Sequence, residues 1–255
     1  MFLCRNDTMK RKMKKIIIAN YKMNPQTERE AVKLAHAEDR EGVIIAPPFP
    51  FLIPVKKALK KAMLGAQDVS TVSPLAGGWG AYTGAVSASM LKKMGVQYVI
   101  VGHSERRGFF NETDVMIAKK IVIALEAKLK VILCVGENAD VRAQGITPAK
   151  AFVAEQLQKD FSEIINNKSA FKNIIVAYEP IWAISTTLYR KDVTLEDAET
   201  MAEYIKEQYP VRVLYGGSVN ARNASGLLAQ KNIDGLLVGG MSLKLKEFKK
   251  IISNF

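Results

Sequence analysis

The stretch "YVIVGHSERR", Tyr98 to Arg107, decides how the rest of the chain is read. A run of strand-forming apolar residues stops at Gly102, and His103, Ser104, Glu105, Arg106 and Arg107 follow in consecutive positions. A buried strand that ends this way is either leaving the core for solvent or delivering functional groups to a site. The choice depends on whether other strands end the same way.

Similar apolar runs recur along the chain: "IIIA" (16–19), "VIIA" (43–46), "MLGA" (63–66), "VILCV" (131–135), "IIVAY" (174–178), "VRVLY" (211–215) and "GLLV" (235–238). With "YVIV" (98–101) there are eight. Most are too short for helices, rich in Val and Ile, and lack the polar alternation of a half-exposed strand, so they read as parallel strands covered on both faces. Helical spacing fits about 27–40, 54–61, 86–94, 113–128, 220–230 and 244–253. Another helix follows Thr147 as cap and Pro148 as first residue, with Phe152, Val153, Leu157, Phe161, Ile164 and Ile165 as its stripe. Thr194 opens one more, with Ala198, Met201, Ala202 and Ile205 facing inward. Eightfold alternation of strand and helix without a linker predicts one domain, a closed (β/α)8 TIM barrel over residues 13–255. An open doubly wound sheet would carry GxGxxG after the first strand, which instead ends in "NYKMN".

Residues 1–12, with Met9 before the core and Met13 at its edge, read as a disordered basic extension. No apolar run approaches the roughly 18 residues that a membrane span requires. The two cysteines, Cys4 and Cys134, have no spacing that fits a metal site or a disulfide framework, and the expected location is the cytoplasm. The net charge is +12, and removing residues 1–12 takes four basic and one acidic side chain and leaves +9. Those charges are scattered along amphipathic segments and not interleaved with aromatics, so nucleic acid is not an expected partner, nor is a membrane. An anionic small molecule on a basic background fits better.

In a parallel barrel the C-terminal strand ends meet at one mouth, so separate motifs become one set. The first strand delivers Asn20 and Lys22, the fourth His103 and Glu105, and the sixth Glu179. The seventh and eighth deliver Gly216 to Ser218 and Gly239 with Gly240, where unshielded backbone N–H groups suit a phosphate. Glu179 precedes Pro180, which holds it extended, and the apolar "PIWAI" follows; a carboxylate shielded from water is the better-matched base. A base, a cation, hydrogen-bond donors and a phosphate cradle, with no metal cluster or cofactor motif, fit proton abstraction beside the carbonyl of a small phosphorylated sugar.

The same residues carry a resemblance. "ANYKMN", "GAQD", "GAYTGAVS", "YVIVGHSERR", "CVGE", "AYEPIWAI", "YGGSVN" and "GLLVGGMSL" are similar to the motifs of the triosephosphate isomerase family, from about Lys15 to the C-terminus. The resemblance implies interconversion of dihydroxyacetone phosphate and glyceraldehyde 3-phosphate without a cofactor or metal. Glu179 would be the base, His103 a neutral imidazole that polarises the carbonyl, Lys22 the cation, and Asn20 a donor. Glu105 would pair with Lys22, with Ser104 beside it in support. Backbone N–H groups at Ser185, Ser218, Gly239 and Gly240 would hold the phosphate. The resemblance also implies a homodimer with Thr83 reaching into the partner. Two departures stand out. The segment Ile184 to Arg190, "ISTTLYR", lacks both glycines of the family's "IGTG" lid and is about three residues longer, which predicts slower closure. Ala85 stands where the family commonly has a Glu that pairs with an Arg such as Arg106, so the dimer is expected without that ion pair.

Overall fold

The computed structural model describes residues 14–72, 80–184 and 193–253; the expected extension at 1–12, Ser185 and the rest of the altered lid to Arg190 lie outside these. Eight strands are present: β1 (Ile16–Asn20), β2 (Val43–Ala46), β3 (Met63–Ala66), β4 (Tyr98–Val101), β5 (Lys130–Val135), β6 (Ile174–Tyr178), β7 (Arg212–Tyr215) and β8 (Gly235–Val238). Each pairs in parallel with the next, and β8 closes onto β1 through Ile16 beside Gly235 and Ala19 beside Val238. The chain forms a (β/α)8 barrel.

The uninterrupted apolar runs follow from this closure, because both strand faces are dry. Ile16, Ile18, Ile44, Ile100, Ile132 and Leu214 belong to the cluster inside the barrel. Their neighbours Ile17, Ile45, Val99, Val131 and Val213 pack outward against the helices.

Among the described residues the helices are α1 (Glu28–Glu38), α2 (Leu52–Ala58), α3 (Ala88–Lys93), α4 (Ser104–Phe109), α5 (Asp114–Glu126), α6 (Ala139–Ala143), α7 (Ile146–Asp160), α8 (Leu195–Gln208), α9 (Ala224–Ala229) and α10 (Leu245–Ser253). Thr194 does cap α8, accepting from the Asp197 N–H at 3.0 Å. Thr147 does not cap α7: the helix begins two residues earlier than expected, at Ile146 behind Gly145, whose φ of 110° only glycine adopts freely. Ile165 lies beyond the end of α7 and is exposed, because the chain leaves the helix in a turn after Asp160. The short α4 and α6 were not legible as periodic segments, since one and a half turns do not establish a 3.6-residue period. No helix among the described residues is long and apolar enough to cross a membrane.

Asp160 and Glu38 are among the acids buried away from the barrel mouth. Asp160 is fully buried and receives Arg107 Nη2 at 2.6 Å, while Arg107 Nη1 pairs with Asp114 at 2.6 Å, so this arginine ties α4 to α5 and α7. Burial pushes the Asp160 carboxyl up to about 7 against the pull of Arg107. Glu38, on the inner face of α1, is pushed up to about 8, chiefly by burial. A carboxyl raised in this way holds a proton in the folded chain that the unfolded chain has already released, so stability falls as pH rises from the ordinary carboxylate range toward 8. Thermal melts of Glu38→Gln between pH 5.5 and 9 are expected to show a shallower decline up to about pH 8 than those of the parent, and the same slope above it. Parallel declines would mean that Glu38 is ionised throughout.

Candidate active site

The strand ends of β1, β4, β6, β7 and β8 meet around one cavity at the C-terminal mouth. Asn20, Lys22, His103 and Glu179 line it together with Gly216, Ser218, Gly239 and Gly240.

Lys22 follows β1 by two residues, and its ammonium lies 2.5 Å from Glu105 Oε1. Its backbone occupies the left-handed region at φ 53°, an uncommon state for a residue with a side chain. Asn20 is 5% exposed; its Oδ1 accepts from the Lys22 N–H at 3.0 Å, which leaves its amide nitrogen as the donor to the cavity. Gly239 leaves room for this lysine, since a Cβ there would stand 3.3 Å from Lys22 Cε.

His103 precedes α4 and caps it. Its Nδ1 accepts from the Glu105 N–H at 3.2 Å, so the ring hydrogen is on Nε2, because a nitrogen that accepts cannot also carry a hydrogen. Nε2 lies 3.3 Å from Glu179 Oε1, so the ring presents a donor to the base and to the cavity. Glu105 thus has two tasks: its carboxylate meets Lys22 and its backbone sets the tautomer of His103.

Glu179 is 2% exposed. Its N–H donates to the Val135 carbonyl at 2.7 Å, continuing the β5–β6 ladder, and its Oε2 accepts from the Ser104 N–H at 3.4 Å. Two glycines make this placement possible. A Cβ on Gly136 would collide with the Glu179 carbonyl oxygen at 2.0 Å, and one on Gly216 would press Glu179 Cγ at 2.8 Å. Gly217 likewise clears the Tyr215 ring. The glycines after β7 therefore serve packing around the base as well as exposing backbone N–H groups.

Two residues of this region were missed in the sequence. Glu137 follows β5 in "CVGE" and is fully buried; its Oε1 accepts from the Tyr178 hydroxyl and from Trp182 Nε1, each at 2.9 Å. It fixes the apolar turn beyond Glu179, and the strand-end rule applied to β5 would have found it. Cys134 lies inside the barrel with its thiol against Glu179; burial first, then that carboxylate, push the thiol well up, so it stays neutral and can donate to the base. An apolar run gave no sign of this contact. Among the described residues no group of three metal-ligating side chains comes together.

Arg106 points away from the mouth. Its Nε lies 2.8 Å from Asp68 and 2.5 Å from Glu112, and Lys120 bridges the same two carboxylates at 2.6 and 2.5 Å. These residues border a second cavity beside the exposed loop of Thr83, Gly84 and Ala85.

Comparison with known proteins matches these features over the whole barrel. The family model of triosephosphate isomerase matches residues 15–255. The chain is 41% identical over 258 aligned positions to the triosephosphate isomerase of Alkaliphilus oremlandii, covering 94% of this chain and 99% of that protein. It is 40% identical to that of Colwellia psychrerythraea over 93% of this chain and 96% of that protein. With that of Carboxydothermus hydrogenoformans it shares 42% over 84% of this chain and 86% of that protein. Likeness of this extent, in a barrel whose strand ends carry this set of side chains, means that the chain belongs to the triosephosphate isomerase family.

Proposed function

We propose that the chain interconverts dihydroxyacetone phosphate and D-glyceraldehyde 3-phosphate, a step of glycolysis and gluconeogenesis, with Glu179 as the proton carrier. The observation that carries this reading is the meeting of a buried carboxylate, a histidine donor, an ammonium and an amide around one cavity. Glu179 takes a proton from the carbon next to the substrate carbonyl, leaving an enediolate. Nε2–H of His103, the ammonium of Lys22 and the amide of Asn20 stabilise the two enediolate oxygens. Glu179 then returns the proton to the neighbouring carbon, while a hydroxyl proton passes between the two oxygens by way of His103 Nε2, which gives its hydrogen to one oxygen and takes one from the other; together these complete the aldose–ketose exchange without a redox step. Backbone N–H groups at Ser218, Gly239 and Gly240 take the phosphate, where the β7 and β8 loops of barrels commonly bind it; Ser185 belongs to the same proposed cradle from outside the described residues.

Turnover of glyceraldehyde 3-phosphate in D2O tests the reaction. The dihydroxyacetone phosphate formed should carry solvent deuterium on its hydroxymethyl carbon, because a carboxylate proton exchanges with water before it is returned. No turnover by folded protein would overturn the proposal.

The working form proposed is a cytoplasmic homodimer, the partner's Thr83 loop entering the cavity beside Arg106. Supporting it, Met23, Phe109 and Phe110 are 87%, 80% and 62% exposed, apolar side chains that an interface would cover. With Ala85 unable to pair across an interface, Arg106 is neutralised within the chain by Asp68 and Glu112. Light scattering is expected to give twice the 28.2 kDa chain mass. An active monomer at micromolar concentration would refute the dimer and leave the chemistry standing.

A further inference from the structure

The inner face of α1 is formed by Ala31, Ala35 and Glu38, spaced to lie one above another, and the third is a carboxyl where an apolar residue would pack without penalty. Glu38 is 1% exposed. Its Oε2 accepts from the Tyr21 hydroxyl at 2.7 Å, and its Oε1 has no partner. Such an arrangement costs stability, so a local fold argument does not explain it.

The contact leads to the mouth. Tyr21 is fully buried and sits between Asn20 and Lys22. Its N–H donates to the Ala46 carbonyl at 3.1 Å, and its carbonyl accepts from Asn24 Nδ2 at 2.8 Å. The next residue, Lys22, holds the left-handed backbone, and its carbonyl accepts from Gln67 Nε2 at 2.8 Å. A strained backbone persists only where its surroundings over-determine it, and Tyr21 is the neighbour that is anchored by backbone and side chain together. The anchor is itself fixed: Asp39, next to Glu38, accepts from the N–H groups of Lys60, Lys61 and Ala62 at 2.9, 2.8 and 2.7 Å. An unbroken series of short contacts thus runs from the approach to β3, through the end of α1 and the Tyr21 ring, to the backbone that carries the ammonium. Neither Tyr21 nor Glu38 lines the cavity.

We infer that Glu38, acting through the Tyr21 hydroxyl, is a positioning residue for Lys22 in the proposed isomerisation. It fixes the height of the Tyr21 ring between β1 and α1, and so holds the left-handed turn that aims the lysine at Glu105 and the substrate oxygens. The inference rests on the assignment of Lys22 to the reaction. A phenylalanine at position 21 would fill the same space but could slide along the apolar face of α1, since packing alone does not set a position as a short hydrogen bond does.

The test compares Tyr21→Phe, Glu38→Ala and Glu38→Gln in the full-length protein. The first two are expected to lower kcat/KM by about ten- to a hundredfold, the scale of a displaced catalytic group. Glu38→Gln keeps a carbonyl that accepts from the hydroxyl and should stay near the parent. In a Lys22→Met background, Tyr21→Phe should cost nothing further, because its effect passes through the lysine. Lower melting temperatures with unchanged kcat/KM, or a loss that persists in full without Lys22, would reduce the pair to packing. Should the parent itself show no turnover, the isomerase assignment fails separately, and the Lys22 Cε signal in 13C NMR decides the positioning claim. That signal should move in Glu38→Ala and not in Glu38→Gln; an unmoved signal overturns the inference.

Discussion

Glu179→Gln is expected to lower kcat by about a thousandfold, the middle of the 10²–10⁴ range for a positioned general base. Glutamine has the same shape, and its carbonyl can still accept from the Ser104 N–H, so the barrel and the surrounding contacts should persist. What it lacks is an oxygen that can take a proton from carbon. Substrate binding should therefore change much less than kcat, because Lys22 and the backbone N–H groups proposed for the phosphate are untouched. Steady-state kinetics with a melting curve separates the two effects. A variant that turns over within tenfold of the parent would show that the base lies elsewhere at the mouth.

Lys22→Met comes next, with an expected loss in kcat/KM on the order of 10² to 10³, as for removal of one charged or hydrogen-bonding group that stabilises an oxyanion. Its distinctive consequence concerns Glu105. With the ammonium gone, a carboxylate 32% exposed at its side chain is left facing an anionic substrate, so part of the loss is repulsion newly created. Adding Glu105→Gln should therefore restore some activity to Lys22→Met, although alone it is expected to be harmful, because it loosens the lysine. If the two losses simply add, the 2.5 Å pair is incidental to catalysis.

The barrel was legible because closing a parallel sheet under helices dries both faces of every strand, and that leaves short unbroken runs such as "YVIV" and "IIVAY" in one dimension. The strand-end side chains were legible for a related reason: a polar residue directly after a buried run has only the mouth to occupy. By contrast, α4 was invisible to periodicity although His103 caps it, and Glu137 passed unnoticed because a lone glutamate after "CVG" reads as ordinary surface. Cys134 looked like one more apolar residue until β6 placed Glu179 beside it.

By itself, then, the sequence determined the order of strands and helices and which residues stand at the barrel mouth, since both follow from local pattern and from a closure rule common to parallel barrels. Only the tertiary structure decided the relations across the chain. Among these are the hydrogen on His103 Nε2, the glycines that make room for Glu179, the internal partners of Arg106, and the link from Glu38 through Tyr21. Most of those depend on distances between residues 17 to 43 positions apart or on the orientation of a single ring, and such quantities exist only once the barrel has closed.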